Sequence, residues 1–417
     1  MSKGDAPLRR PDPDDVPSIG YGGQAPVWLG LSRNVIVFGV LSLLTDLAAE
    51  MIVPLLPLFL KAEFLAGPAV IGLISGVSES LASFLKLGSG WLSDRAGKRK
   101  SLIVLGYAVS LVRPLMGIAT AWWHVMLVRV ADRVGKGVRL APRDALLADS
   151  CGEAVRGRAF GFQQFADNIG AALGPLAALA LLAWVTADMR TVFIFSVVPC
   201  TLLVVVAALG IVEKPPSKAP EPVRLTLKPF DAPFRVYLVA TFLFHIAVAA
   251  DFFLILRMES AGYSIRRILL LWFALSAVRS LSAMAGGVLS DRVGRRPLIA
   301  AGWALFAAAW ASFAFVPPAW VVVPLLAFGV FGGLSLGPQR ALVADLVPVH
   351  LRGTAYGLYA CAHGVATLVG NVAFGLAWQH LGVVPAFAGG AALALVGLAV
   401  LSVLHRSPGA PAGGSAA

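Results

Sequence analysis

An all-α membrane protein of twelve spanning helices, built as two related six-helix bundles, is the fold class this sequence predicts, on three observations. Only 13% of the 417 residues are charged and the mean hydropathy is +0.81, too apolar for a surface solvated by water. Apolar runs of about 18 residues or more recur along almost the whole chain, each long enough as a helix to cross a hydrocarbon core of about 30 Å. A charged phrase, "GWLSDRAGKRK" at 90–100, returns as "GVLSDRVGRRP" at 287–297. The apolar runs are continuous and contain Gly and Pro, unlike the alternating segments of a membrane β-barrel.

Reading apolar runs between charged or Pro/Gly-rich breaks places the spans near 34–60, 69–91, 101–119, 122–141, 159–183, 190–211, 236–258, 266–289, 298–316, 319–338, 354–377 and 382–404. Trp122, Trp123, Trp184, Trp320 and Trp378 fall at span ends on one side, where an indole sits at headgroup level. Residues 1–33 form a polar, Pro-rich tail with no cleavable signal pattern. The Pro-rich stretch 212–235 reads as a linker dividing the bundles 34–211 and 236–404, and 405–417 as a low-complexity tail.

The net charge of +12 is explained by where the bases fall. Most of the 34 Lys and Arg lie in loops on the side opposite those tryptophans. This asymmetry is the positive-inside rule, so both tails and the linker are expected in the cytoplasm of a cell whose inner (plasma) membrane holds the protein. A nucleic-acid partner is therefore not expected. Cys151, Cys200 and Cys361 are far apart and form neither a disulfide framework nor a metal spacing.

The halves are related beyond that phrase. "APRDALLAD" at 141–149 aligns with "GPQRALVAD" at 337–345, and "RGRAFG" at 156–161 with "RGTAYG" at 352–357, at one displacement. Parallel repeats of this kind are found in transporters whose site lies between the repeats near mid-depth.

With Gly90, Asp94, Arg95, Gly97, Lys98 and Arg99 in one loop and Gly287, Asp291, Arg292, Gly294, Arg295 and Arg296 in its copy, the chain resembles the major facilitator superfamily over nearly its whole length. Arg133 and Gly137 are similar to that family's helix 4 motif, with Lys136 where Gln is usual. Gly161, Gly170, Gly174 and Pro175 match the spacing of its helix 5 antiporter motif, whose closing glycines are here Ala178 and Leu179. The resemblance implies twelve helices, transport by alternating access, and an inner-gate latch in which Asp94 and Lys98 meet Asp144 and Asp149. Asp291, Arg295 and Asp345 form the mirror set. The helix 5 motif implies export, with ordinary small-residue packing as the alternative.

Charge at membrane depth is the other informative feature. Asp46, Glu50, Glu79, Lys86, Arg113, Arg129, Asp132, Arg133, Lys136, Asp167 and Arg279 fall inside predicted spans. At about 3 kcal/mol each, this set would cost roughly 30 kcal/mol uncompensated, more than the net stability of about 5–15 kcal/mol typical of a protein. These residues must pair, change protonation or line a wet cavity. Asp46 and Glu50 are one turn apart on one helix face, and two neighbouring carboxylates do not both ionise cheaply. Asp46, Glu50, Glu79 and Asp167 are the proton-carrier candidates, each otherwise a partner for a buried base. Pro54 and Pro57 should bend the first helix.

Arg113 and Arg279 could hold an anionic solute from both halves, or each could satisfy a nearby acid, Asp251 being available to Arg279. His245 and His363 are further candidates for solute contact or ordinary satisfied polar groups.

The leading reading is a secondary transporter that exchanges protons for a small organic solute, most simply an exporter. Uptake of an organic anion with protons is the alternative. A membrane ligand sensor is the reading from a different class, disfavoured because no sizeable soluble domain is present to pass a signal on. No HExxH or GxxxxGK[ST] motif occurs, so neither a metalloprotease-type enzyme nor an ATP-driven pump is expected. Protons, a small-molecule solute and lipid are the expected partners, with no cofactor, no metal and a monomer as the working unit.

Overall fold

The structure, a computed structural model, describes residues 31–96, 99–152, 155–213, 226–248, 250–348 and 351–403, without the side chains of 86–96 and of residue 291. The described residues are helical nearly throughout. Helices α1 (Arg33–Glu50) and α2 (Leu56–Phe64) form the first span, broken by a turn at 51–55. Pro54 lies in that turn and Pro57 opens α2, positions where the missing N–H is tolerated. Next come α3 (Pro68–Ala96) and α4 (Arg99–Ala108), the latter continuing as a 3-10 stretch Val109–Ile118 that contains Pro114. Helices α5 (Trp122–Asp149), α6 (Arg156–Trp184), α7 (Met189–Phe195) and α8 (Val197–Gly210) complete the segment before residue 213.

The second segment repeats this order: α9 (Ala232–Ala247) and α10 (Asp251–Ser260) broken within one span, then α11 (Ile265–Val293), α12 (Arg295–Phe315), α13 (Val322–Asp345), α14 (Arg352–Leu381) and α15 (Val383–Val403). Among the described residues, ten helical segments are long and apolar enough to cross a membrane unaided. The other two predicted spans fall short for physical reasons. The first is interrupted, and α5 is 28 residues long but carries Arg129, Asp132, Arg133, Lys136, Arg139, Arg143, Asp144 and Asp149.

The face bearing the repeated charged loops is called the basic face below, and the opposite one the far face. The two segments meet chiefly where α3 packs on α14, α6 on α11, and α2 on α10. At the far face these contacts are close. A Cβ on Gly72 would overlap the Asn371 backbone and one on Gly375 that of Pro68, so glycine is what lets α3 and α14 touch. Lys61 Nζ bonds Glu259 Oε2 at 2.6 Å across the same end. Toward the basic face a groove opens between α6, α11 and α13, with Gly287 and Gly337 in its lining. The seam between the halves is closed at the far face, and the groove lies toward the basic one.

Candidate functional site

The two interrupted helices locate the site. Discontinuous helices at matching places in two repeats free polar backbone groups near mid-depth, which is where transporters build binding sites. The break between α9 and α10 is held by Asn371 of α14, whose Oδ1 accepts from Ala250 N at 2.6 Å while its Nδ2 donates to the Thr367 carbonyl. Asp251 begins α10, where the helix dipole favours an acid. Glu50 ends α1 at the other break.

A chain of polar contacts joins the breaks. Trp272 Nε1 of α11 donates to Glu50 Oε2 at 2.8 Å. Two turns further along α11, Arg279 makes two 2.9 Å bonds to Asp251 and lies over the Phe328 ring. Glu50 is therefore read directly by the opposite half of the molecule.

The acids of the first half fall into two groups. Asp132 and Arg113, 2% and 3% exposed, form a 2.7 Å ion pair, and Arg113 also donates to the Thr45 carbonyl. Glu79 is gripped by Arg133 at 3.1 Å and Arg129 at 3.5 Å. By contrast, none of the described cations comes within ion-pair distance of Asp46, Glu50 or Asp167. Asp46 lies within electrostatic reach of Asp167, Lys136, Arg113 and Arg143, and Asp167 sits beside the Ser42 hydroxyl.

The helix 5 residues explain how these carboxylates come together. A Cβ on Gly170 would strike the Leu43 carbonyl, and one on Gly174 would lie 2.5 Å from Glu50 Cβ. Glycine there lets α6 ride on the α1 backbone at the level of Asp46 and Glu50, with Pro175 buried beside it. Gly161 faces open space instead. In α5, Arg133 holds Glu79 and Gly137 abuts Leu85 of α3.

In the second half, the rings of His245 and His363 meet at a tilt of 60° with centroids 4.5 Å apart. His245 Nδ1 donates to the Thr241 carbonyl at 2.8 Å, which fixes its tautomer because a carbonyl only accepts.

Of the latch residues, Gly97 and Lys98 and the side chains of Asp94, Arg95 and Asp291 lie outside the described residues, as does the surrounding of Gly90. Asp149 pairs with Arg99 at 2.5 Å, Asp144 bonds its neighbour Arg143 at 2.9 Å, and Arg295 pairs with Asp345. Arg292 lies in the last turn of α11 and Gly294 turns the chain into α12 with a φ of +94°. Each of these three pairs stays within one half.

Several residues were not singled out from sequence. Trp272 is a mid-helix Trp rather than an end-of-span one, Asn371 faces a break visible only in three dimensions, and Arg139 is buried under the Gly106 carbonyl and Ser110. Arg340 carried a usable signal, since the repeat aligns it with Asp144, a reversal of charge.

Residues 38–282 and 258–417 match the profile of the Major Facilitator Superfamily. An uncharacterised MFS-type transporter of Methanocaldococcus jannaschii is 28% identical over 84% of this chain and 89% of its own length. The class G tetracycline resistance protein of Vibrio anguillarum is 24% identical over 78% of this chain and 85% of its own. The crystal structure of the nucleoside transporter NupG superposes with a TM-score of 0.74 at 12% identity, covering 90% of this chain and all of that one. Broken first helices in each half, an α3–α14 seam closed by glycine, charged loops written twice and this profile agree: the chain is a membrane transporter of the Major Facilitator Superfamily.

Proposed function

We propose that this transporter exports a small organic solute in exchange for protons across the inner (plasma) membrane, working as a monomer by alternating access, with the basic face and both termini in the cytoplasm. The bundles 34–211 and 236–404, joined by the linker 212–235 whose last four residues already belong to α9, rock about the breaks in α1–α2 and α9–α10. The observation that carries the reading is the division of the acids within the spans. Glu79, Asp132 and Asp251 are committed to arginines, while Asp46, Glu50 and Asp167 sit together with no described cation in bonding range. A group that must take up and release a proton in each cycle has to be of the second kind.

In this cycle Glu50 is the reporter. Its bond to Trp272 crosses the seam between the halves, so loading a proton on the α1 carboxylates changes a contact that one orientation makes and the other does not. Export is supported by the α6 glycines that seat α6 on α1, and by the tetracycline resistance relative. Uptake of an organic anion with protons would use the same residues in the opposite direction.

The test is flux in proteoliposomes with an imposed pH gradient, screening pooled organic solutes with a pH dye trapped inside. Solute exit against proton entry is expected, and Asp46→Asn combined with Glu50→Gln should leave exchange that ignores the gradient. Proton flux unchanged in the double variant would remove α1 from the coupling path. Entry of solute together with protons would establish the uptake direction.

A further inference from the structure

A groove between α6, α11 and α13 holds charge that proton exchange leaves unused. It encloses about 610 Å3, within the usual range of small-molecule sites. From Arg279 at mid-depth it follows α11 to Ser290, about 16 Å further toward the basic face. Gln164 and Asn168 of α6 form one wall, and Ser280, Ser290 and Arg340 stand on the other. Three guanidinium groups line it, and among the described residues no carboxylate does.

Two of the three are already neutralised, Arg279 by Asp251 and Arg295 by Asp345. Arg340 has no described acid within ion-pair distance. Its charged or titratable neighbours, His245, His363, Tyr359 and Tyr356 of α9 and α14, the last donating to the Arg340 carbonyl at 3.0 Å, supply no negative charge. Facing it across the groove, Gln164 donates to Asn168 Oδ1 at 3.4 Å, which leaves the Asn168 amide and the second Gln164 hydrogen as donors. A cation in a cleft, opposed by amide donors and without a described acid, is complementary to an anion.

We propose that this groove binds a small organic anion of the carboxylate class, with Arg340 as its charged anchor and Gln164 and Asn168 as contacts from the other half. The inference rests on the transport reading and names the substrate class of that same cavity. A ligand held by α13 on one side and α6 on the other ties the two halves together, so its occupancy biases the equilibrium between orientations. The headgroup of an anionic lipid shares the chemistry. A soluble solute fits better, because the groove reaches mid-depth between polar walls from both halves.

The experiment is a fluorescence titration of the full chain in neutral detergent, with dansylglycine as the anionic probe and dansylamide as its neutral counterpart. Wild type should prefer dansylglycine. Arg340→Gln should weaken dansylglycine binding by at least about tenfold and leave dansylamide unchanged. Arg340→Lys should restore part of the loss, and Gln164→Leu should cost less than Arg340→Gln. Arg340 is exposed, so these variants are expected to elute as folded protein.

Equal binding of dansylglycine by wild type and Arg340→Gln overturns the proposal, as does a wild type without preference between the probes. Displacement of dansylglycine by added phosphatidylglycerol would make a lipid headgroup the occupant and overturn the solute assignment. Micelle binding needs no proton gradient, so its loss alongside intact proton-driven flux sinks the anion claim alone. Binding without any flux sinks the transport reading alone.

Discussion

The two halves repeat one order of helices but are filled with different chemistry. Between α1 and α6 stand Asp46 and Asp167, set into a network of ion pairs on α5. Between α9 and α14, the corresponding helices, stand His245 and His363. His363 occupies the place of Asp167 at the displacement that relates Arg156 to Arg352. Around it the interior is aromatic: Phe244 stacks on Trp303 at 4.0 Å, and Phe306, Trp310, Phe328 and Phe331 continue the cluster. Copying fixed the backbone, while the interiors diverged into a half that carries carboxylates and ion pairs and a half filled with aromatic rings.

That contrast can be broken first where charge is most deeply buried. Asp132→Asn strands Arg113 in the protein interior and should cost about 3–5 kcal/mol, read as lost folded yield and earlier unfolding in detergent. Replacing both partners, Arg113→Met with Asp132→Leu, should recover much of the loss, because the uncompensated charge is what destabilises. A single variant that stays as stable as wild type would show that the pair is not structural.

The aromatic half should yield less to an equally drastic change. Trp303→Ala would cost about 3–5 kcal/mol in a water-soluble core, but lipid is as apolar as the protein interior, so only the packing share is lost. Unfolding should therefore move less than for Asp132→Asn, with proton dependence intact. A larger shift than Asp132→Asn would reverse the assignment of the two interiors.

Smallest is the far-face ion pair. Lys61 is 52% exposed and Glu259 34%, and surface pairs contribute about 0–1 kcal/mol. Lys61→Gln should leave stability unchanged within that range while opening the far face slightly more often, seen as faster labelling of a cysteine placed at Leu65. Unaltered labelling would mean that the α3–α14 seam closes that face alone.

Much of this was legible in the sequence because span length, charge asymmetry and repetition are one-dimensional signals. The helix order follows from them, and Pro54 and Pro57 marked the first break. The second break carries no proline. It depends on Asn371, more than a hundred residues away, accepting from Ala250, and no local pattern encodes such a contact.

The candidate site was legible as a list of residues and not as a set of pairings. Composition named Arg113, Glu79 and Asp251 beside Asp46 and Glu50 without separating them. Arg113 reaches Asp132 and Glu79 reaches Arg133 through helix packing, so which acids remain without an ion pair is known only from the fold. Lys136 shows the same limit. It stands where the family motif has Gln, and it lies near Asp46 and Glu79 without a described ion pair to either.

The central claim is that proton sensing resides in the α1–α6 carboxylates and not in the imidazole pair that mirrors them. It is tested most directly by the distance between spin labels at Leu65 and Ser260, both exposed at the far face, in a background without the three free cysteines. The measurement is made on the reconstituted protein across about pH 5–8, which spans the ordinary His and perturbed carboxylate ranges. Wild type and the double variant His245→Gln with His363→Gln should change distance with pH, and Asp46→Asn with Glu50→Gln should not. A carboxylate variant that still responds, or a histidine variant that does not, would place the sensor in the other half.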